Sequence, residues 1–289
     1  MKPAPFTYHD PRTSDDLIGL MAKLDNAKLL AGGQSLMPML NLRLVAPDHL
    51  IDLNRIPELA GIRISPGQIE IGAMTRQADL QASADLASVA PVFRQALAHV
   101  GHIQTRSRGT IGGSCCHLDP AAELPALCAL FDAEFDVIGP DGARIVPASD
   151  WFCGYLQSAL DAREMLRAIR LSSWPRGHGF GFNEYARRHG DFAIAGAAAL
   201  LAFAADRTIH RAAIVVFGVE PAPVRLAKIE RALVGRKLYQ EALVAAAEDA
   251  RGLDAMSDVH VSAAYRRRIA GVVTMRALAD AGRTAEVSA

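Results

Sequence analysis

Leu17, Leu20, Met21 and Leu24 recur at the i, i+3, i+4, i+7 spacing of one helix face, and Ser14 stands where an N-cap belongs, so an amphipathic helix comes first. Lys28-Leu29-Leu30-Ala31 then reads as a short buried strand running into Gly32-Gly33, and His49-Leu50-Ile51-Asp52-Leu53 reads as another. Together they predict a small βαβ-like lobe over residues 1–57. Ile62, Ile64, Ile69 and Ile71 alternate with polar residues around Ser65-Pro66-Gly67-Gln68, the pattern of a strand, a turn and a returning strand. They open a second lobe, residues 58–175, expected to be antiparallel. It continues with a helix near 88–100 that stops at Gly101, a glycine-rich loop, a helix around Glu123–Leu130 and a hairpin turning at Pro140-Asp141-Gly142. Turn formers cluster at Ser172-Ser173-Trp174-Pro175 and mark a domain boundary. Beyond it, Phe180–Arg188, Ile194–Ala204 and Ile209–Val219 read as strands, and the Ala-, Leu- and Arg-rich tail from Val224 reads as helical. Residues 176–289 are thus expected to form an antiparallel sheet with helices, and the chain an α+β protein.

Length and charge fit that division. The chain has 289 residues, 51% of them hydrophobic, which suits two domains of about 100–200 residues each. Thirty-one Lys and Arg balance 31 Asp and Glu, so no global field draws the chain to nucleic acid or to an anionic membrane. The basic run Tyr265-Arg266-Arg267-Arg268 lies in a helical pattern and reads as a solvated or partner-facing face, with Arg266–Arg268 or nearby apolar surface expected at a subunit contact. The N-terminus lacks the apolar core of a signal peptide, and no stretch has the length and apolarity of a spanning helix. A cytoplasmic protein with no membrane insertion is expected. Cys115, Cys116, Cys128 and Cys153 form no CxxC pair and no even spacing, so neither a disulfide framework nor a metal site is expected, and any iron–sulfur cluster belongs on another chain.

The candidate chemistry rests on two glycine-rich segments. Ala31–Leu40, AGGQSLMPML, follows a predicted strand, and its glycines and Ser35 can present amides and a hydroxyl to a phosphate without any Lys or Arg. Gly109–Leu127, GTIGGSCCHLDPAAELPAL, has the same logic: Thr110, Gly112, Gly113 and Ser114 offer donors where missing side chains permit close approach, and Glu123 can accept from a ribose or ribitol hydroxyl. Two phosphate-cradling segments suit a dinucleotide. Neither matches the GxGxxG fingerprint or the GxxxxGK[ST] loop, which argues against an ordinary NAD site and a nucleoside triphosphatase. His102, His117 and His189 have no carboxylate partner at an informative spacing, so no catalytic side chain is expected.

AGGQSLMPMLNLRL (31–44), TIGGSCCHLDPAAELPAL (110–127) and YARRHGDFAIAGAA (185–198), in this order and at this spacing, resemble the FAD-binding medium subunit of carbon monoxide dehydrogenase and xanthine dehydrogenase-type molybdenum hydroxylases. The resemblance implies a two-lobed FAD-binding domain of the p-cresol methylhydroxylase and vanillyl-alcohol oxidase type, covered by a C-terminal domain of the family's own kind. It implies that Ala31, Gly32, Gly33, Gln34, Ser35 and Leu36 wrap the FAD pyrophosphate, with Thr110, Ile111, Gly112, Gly113 and Ser114 along its other side. Glu123 stands where the family has an acidic residue, more often Asp, touching FAD, and Ser114 where many relatives have Asn. Arg187, Arg188 and Phe192 occupy the segment that approaches the isoalloxazine ring, Phe192 replacing the Tyr of some members. His117 is the position for a covalent flavin link of the kind some oxidases of this fold make, which this family does not require.

The implied work is electron transfer. Electrons released by a large molybdenum-cofactor subunit pass through two [2Fe–2S] clusters on a small subunit, reduce FAD on this chain, and leave to a quinone, NAD or oxygen, the protein binding and tuning the cofactor. The implied assembly is a dimer of three-chain units, a heterohexamer. A free-standing flavin oxidase or dehydrogenase needs a substrate pocket and usually a larger cap than this length leaves room for. A non-redox scaffold is opposed by the intact glycine pairs and Ser35.

Overall fold

The computed structural model describes residues 2–287. The first sheet is parallel and three-stranded, with His49–Asp52 between Thr7–His9 and Ala27–Leu30. The connection from Ala27–Leu30 to His49–Asp52 carries the helix Leu36–Asn41, so the expected βαβ unit is present. Thr7–His9 is an added edge strand, too short and too exposed to leave a hydrophobic pattern. The helix Ser14–Met21 buries Leu17 and Met21 against Ile51, Leu53, Ile56 and Leu59. Its N-cap is Thr13 and not Ser14: Thr13 Oγ1 accepts from the Asp16 amide at 3.1 Å. Ser14 instead donates through its amide and hydroxyl to Glu58 Oε1 at 3.0 and 3.1 Å, because that carboxylate reaches the helix start from the segment following the sheet.

The second sheet is antiparallel, in the order Ile62–Ser65, Gln68–Gly72, Met165–Ser172, Glu134–Gly139, Gly142–Pro147. Its central strand, Met165–Ser172, interrupts its apolar run with Arg167 and Arg170, which hides it from a hydrophobicity reading. Asp136, on the neighbouring strand and almost fully buried, accepts from both guanidinium groups at 2.8 and 2.7 Å, and Arg170 also reaches Glu70 at 3.1 Å. A central strand can carry these charges because each is paired across the ladder.

Two helical expectations change. The segment near 88–100 divides into Ala84–Val89 and Val92–Leu97, since Pro91 has no amide to continue the first. The glycine-rich stretch after Thr110 is a helix, Ile111–His117, and not a loop. Two glycines disfavour a helix by about 1 kcal/mol each. Here Thr110 Oγ1 caps the start at Gly113 N (3.0 Å), Ile111 and Cys115 are buried, and Gly112 lies so close to Ala73 that a Cβ would sit 2.6 Å from it. The helix Glu123–Leu130 forms as expected and is buried all round.

The third sheet, antiparallel, runs Gly179–Tyr185, Ala195–Phe203, Ile209–Phe217, Val224–Arg225. Both of its faces are covered. Ala195, Ala197, Ala199 and Leu201 pack on the C-terminal helices, while Ala198, Leu200 and Ala202 join the core of the second sheet, so the strand reads as a continuous apolar run. The first strand ends at Tyr185 rather than Arg188, and Arg187 and Arg188 fall in a turn. Gly179 and Gly181 let this strand lie directly on the helix Ala263–Val287, for a Cβ at either would overlap the Ala281 or Ala277 carbonyl oxygen.

The expectation of a basic surface at Arg266–Arg268 is corrected at its first residue. Arg266 is only 6% exposed. Its guanidinium donates to Ile194 O (2.7 Å), Gly218 O (2.6 Å) and Met256 O (3.1 Å), and pairs with Asp258. Helical phase turns it inward, leaving Arg267 half-buried and Arg268 exposed. Among the described residues no helix is long and apolar enough to cross a membrane.

Candidate functional site

A cleft of about 790 Å³ lies between the first and second sheets, reached also by the turn that follows Gly179–Tyr185. Ala31, Gly32, Gly33, Gln34, Ser35 and Leu36 line one side; Thr110, Gly112, Gly113, Ser114 and Glu123 line another; Gly190, Asp191 and Phe192 line the mouth. Segments distant in sequence are thus brought together.

The first glycine segment is shaped to expose its backbone. Gly33 adopts φ +72°, a conformation that L side chains resist. Gly32 abuts the second segment, since a Cβ there would overlap Arg108 O and lie 2.8 Å from Gly109 Cα. Among the described residues, no group accepts a hydrogen bond from the amides of residues 32–36, and the exposed Ser35 hydroxyl makes no cap bond. Free donors side by side, without a cation, form an anion-binding concavity.

The second segment differs from the expectation of a matching set of donors. Its amides are already engaged: Ile111 donates to Thr75 O (3.1 Å), Gly112 to Ala73 O (2.9 Å), Gly113 to Thr110 Oγ1 (3.0 Å) and Ser114 to Thr110 O (3.2 Å). The first two pair with the segment after the strand Gln68–Gly72, and the last two belong to the capped helix start. What it offers the cleft is bare glycine surface and the Ser114 side chain. Ile111 itself is fully buried in the core, and Arg188 lies outside the cleft, exposed on the turn after Tyr185.

Glu123 is 8% exposed, and burial first, then Glu184 and Asp119, push its pKa up to about 8. At neutral pH it carries a proton and can donate a hydrogen bond as well as accept one. Phe192, 72% exposed, stands at the rim. His117 lines the cleft, whereas His102 and His189 are exposed. His102 sits under the rim turn, where a Cβ on Gly190 would come 2.7 Å from its ring.

Two features carry no sequence signal. Gln77 lines the cleft with its side chain almost buried, and its Oε1, packed against Gly109, has no hydrogen-bond partner among the described residues. Arg76 braces the glycine segments: its guanidinium donates to Arg108 O and to Asn54 Oδ1, and Asn54 Nδ2 donates to Ala31 O at 3.0 Å. Neither the Gln that opens a short helix nor the Arg before it stands out until the fold brings the parts together. Arg76→Ala is expected to weaken flavin binding by about tenfold, roughly 1.4 kcal/mol, by freeing both loops. Fluorescence titration with FAD measures this, and an unchanged affinity would remove the brace from the site.

Glycine-formed close approaches and unused amides at residues 32–36 fit a flavin dinucleotide. Residues 4–174 match the family model described as the FAD binding domain in molybdopterin dehydrogenase, and residues 180–281 match the CO dehydrogenase flavoprotein C-terminal domain. The chain therefore belongs to the FAD-binding medium subunits of the carbon monoxide dehydrogenase and molybdenum hydroxylase family, and is an oxidoreductase flavoprotein subunit. It is 38% identical to the 6-hydroxypseudooxynicotine dehydrogenase complex subunit alpha of Paenarthrobacter nicotinovorans, covering 97% of this chain and 96% of that one. It is also 38% identical to the carbon monoxide dehydrogenase medium chain of Afipia carboxidovorans, covering 96% and 97%. A carbon monoxide dehydrogenase structure from Hydrogenophaga pseudoflava superposes with a TM-score of 0.94 at 37% identity, covering 98% of this chain and 99% of that chain.

Proposed function

We propose that this chain holds FAD as the electron outlet of a three-chain molybdenum hydroxylase assembled as a heterohexamer in the cytoplasm, with residues 1–175 binding the cofactor and residues 176–289 covering it. The observation carrying this reading is the set of unused amides at residues 32–36 facing the bare glycine wall at 112–113. Residues 32–36 neutralise the pyrophosphate through backbone donors, Ala31 and Thr110 fix the segments that carry them, and Gly112, Gly113 and Ser114 admit it closely. Glu123 and Gln77 would give polar contacts deeper in the cleft, and Phe192 at its rim, with the Arg187–Arg188 turn outside it, would flank the isoalloxazine ring. When bound, FAD accepts single electrons and delivers two. This chain's residues orient it, keep water from its buried end and leave the rim open to a [2Fe–2S] subunit and to an acceptor such as a quinone, NAD or oxygen.

The test is the absorbance spectrum of the purified chain supplemented with FAD and separately with FMN, followed by co-expression with molybdenum and [2Fe–2S] subunits. Tight, acid-releasable FAD with little FMN binding, and recovery of all three chains together, is expected. A folded chain that ignores FAD both alone and in the complex would overturn the reading.

A further inference from the structure

Phe192 is 72% exposed and has little packing of its own, so its place at the rim depends on the backbone that carries it. That backbone is the turn joining Gly179–Tyr185 to Ala195–Phe203, which brings Gly190, Asp191 and Phe192 into the cleft lining. Ile194 N closes its base on Tyr185 O at 2.8 Å, and Asp191 N donates to Arg188 O at 3.1 Å. Both bonds lie within the turn. They fix its local shape and leave its lean over the cleft to other contacts.

Those contacts come from the opposite domain. Gly190, at φ +85°, lies so close to the His102 ring that a Cβ would stand 2.7 Å from Cε1, 3.0 Å from Nδ1 and 3.1 Å from Gly101 O. Only glycine meets both conditions, the backbone angle and the room for a ring. One residue earlier, the His189 ring stacks on His99, with centroids 6.3 Å apart and planes at 26°. His99 also packs on Phe182 at 5.3 Å, and Phe182 on Phe217 at 5.7 Å, so this ring is anchored to the third sheet. The segment bearing both histidines is itself held: Arg106 donates to Val100 O at 2.8 Å, to Gly101 O at 3.2 Å and to Gln81 Oε1 at 3.0 Å. Val100 and Gly101 line the cleft beside the turn.

We propose that His102 is a positioning residue acting through Phe192, with His99 as its second support: the two rings seat the turn of residues 187–192 from the opposite domain and so set where Phe192 stands at the mouth. The effect on the cofactor rests on the flavin reading; the seat does not. Without the rings the turn would keep its internal bonds and its charge pair, Arg187 with Asp191 at 3.9 Å, but would sample several inclinations. A Phe192 that wanders at the rim cannot hold one face of an isoalloxazine in a fixed apolar environment. His102 is exposed, so replacing it leaves the core untouched.

Time-resolved fluorescence anisotropy of the full chain without cofactor reads the seat directly. Phe192→Trp places an emitting ring at the rim, measured as the difference from the wild-type chain, whose Trp151 and Trp174 are buried. In that background His102→Ala should raise the amplitude of fast local motion, and His99→Ala should act in the same direction. His102→Phe, which keeps a flat ring beneath Gly190, should restore the slow decay. With FAD bound to the chain that retains Phe192, His102→Ala should alter the visible circular dichroism of the flavin and His102→Phe should recover it. Unchanged anisotropy in His102→Ala, or a rise that His102→Phe fails to reverse, would overturn the proposal. A bound flavin whose dichroism ignores His102→Ala would likewise reject the positioning role. A chain that shows the rise and its reversal but binds no FAD would support the seat and reject the flavin reading with the effect that rests on it.

Discussion

Arg266→Met is expected to destabilise the chain by about 3–5 kcal/mol, the range for removing one member of a buried charged network. Methionine fills similar space but leaves the carbonyls of Ile194, Gly218 and Met256 without their donor, and Asp258 without its cation. The carbonyls of Ile194 and Gly218 lie just outside the ends of Ala195–Phe203 and Ile209–Phe217, so one guanidinium fastens the long C-terminal helix to two strand ends at once. Gly218 in turn donates to Pro120 O at 2.8 Å, beside the segment leading to Glu123. Loss of the clamp should therefore loosen the third sheet and the wall of the cleft together. Arg266→Lys keeps the charge without the planar fork and should fall in between. Arg268→Glu, exposed one residue past Arg267, should change stability by no more than about 0.5 kcal/mol. Urea denaturation of the three variants measures this, and equal losses at Arg266 and Arg268 would reject the clamp.

The basic run marks where reading the sequence stops. Three consecutive arginines look like one charged face, but successive helical residues point about 100° apart, and only the packing reveals which enters the core. The same limit applied at Met165–Ser172, where two arginines masked a central strand because their partners, Asp136 and Glu70, lie on strands elsewhere in the chain. Local chemistry carried further. The Pro-Gly turn, the βαβ pattern and the doubly buried Ala195–Phe203 strand were legible because hydrophobic period and turn residues act over a few positions. At the site, the glycine pairs located both walls. Their amides did not follow: the Thr110 hydroxyl and the carbonyls of Ala73 and Thr75 already take the donors of the second segment. Glu123 was legible as a cleft acid, while its raised pKa comes first from burial, which only the packed fold supplies.

Gly32→Ala is expected to lower FAD affinity by about a hundredfold, roughly 2.8 kcal/mol. The added methyl would overlap Arg108 O and approach Gly109 Cα at 2.8 Å, both backbone atoms that no rotamer change can move. The two glycine segments would have to part, and the brace from Arg76 to Arg108 O would part with them. Gly33→Ala tests a separate requirement. Its Cβ meets only the Met37 and Leu30 side chains, at 3.2 and 3.3 Å, but φ +72° imposes strain of about 1–2 kcal/mol, so a smaller loss is expected. Gly19→Ala supplies the opposite control: it lies in the helix Ser14–Met21 with open space around it and should add up to about 1 kcal/mol of stability with FAD affinity unchanged. Titration with FAD alongside thermal unfolding separates the cases. Gly32→Ala binding FAD like the wild-type chain would mean that the two segments can separate without opening the cradle, and that their contact only packs the fold.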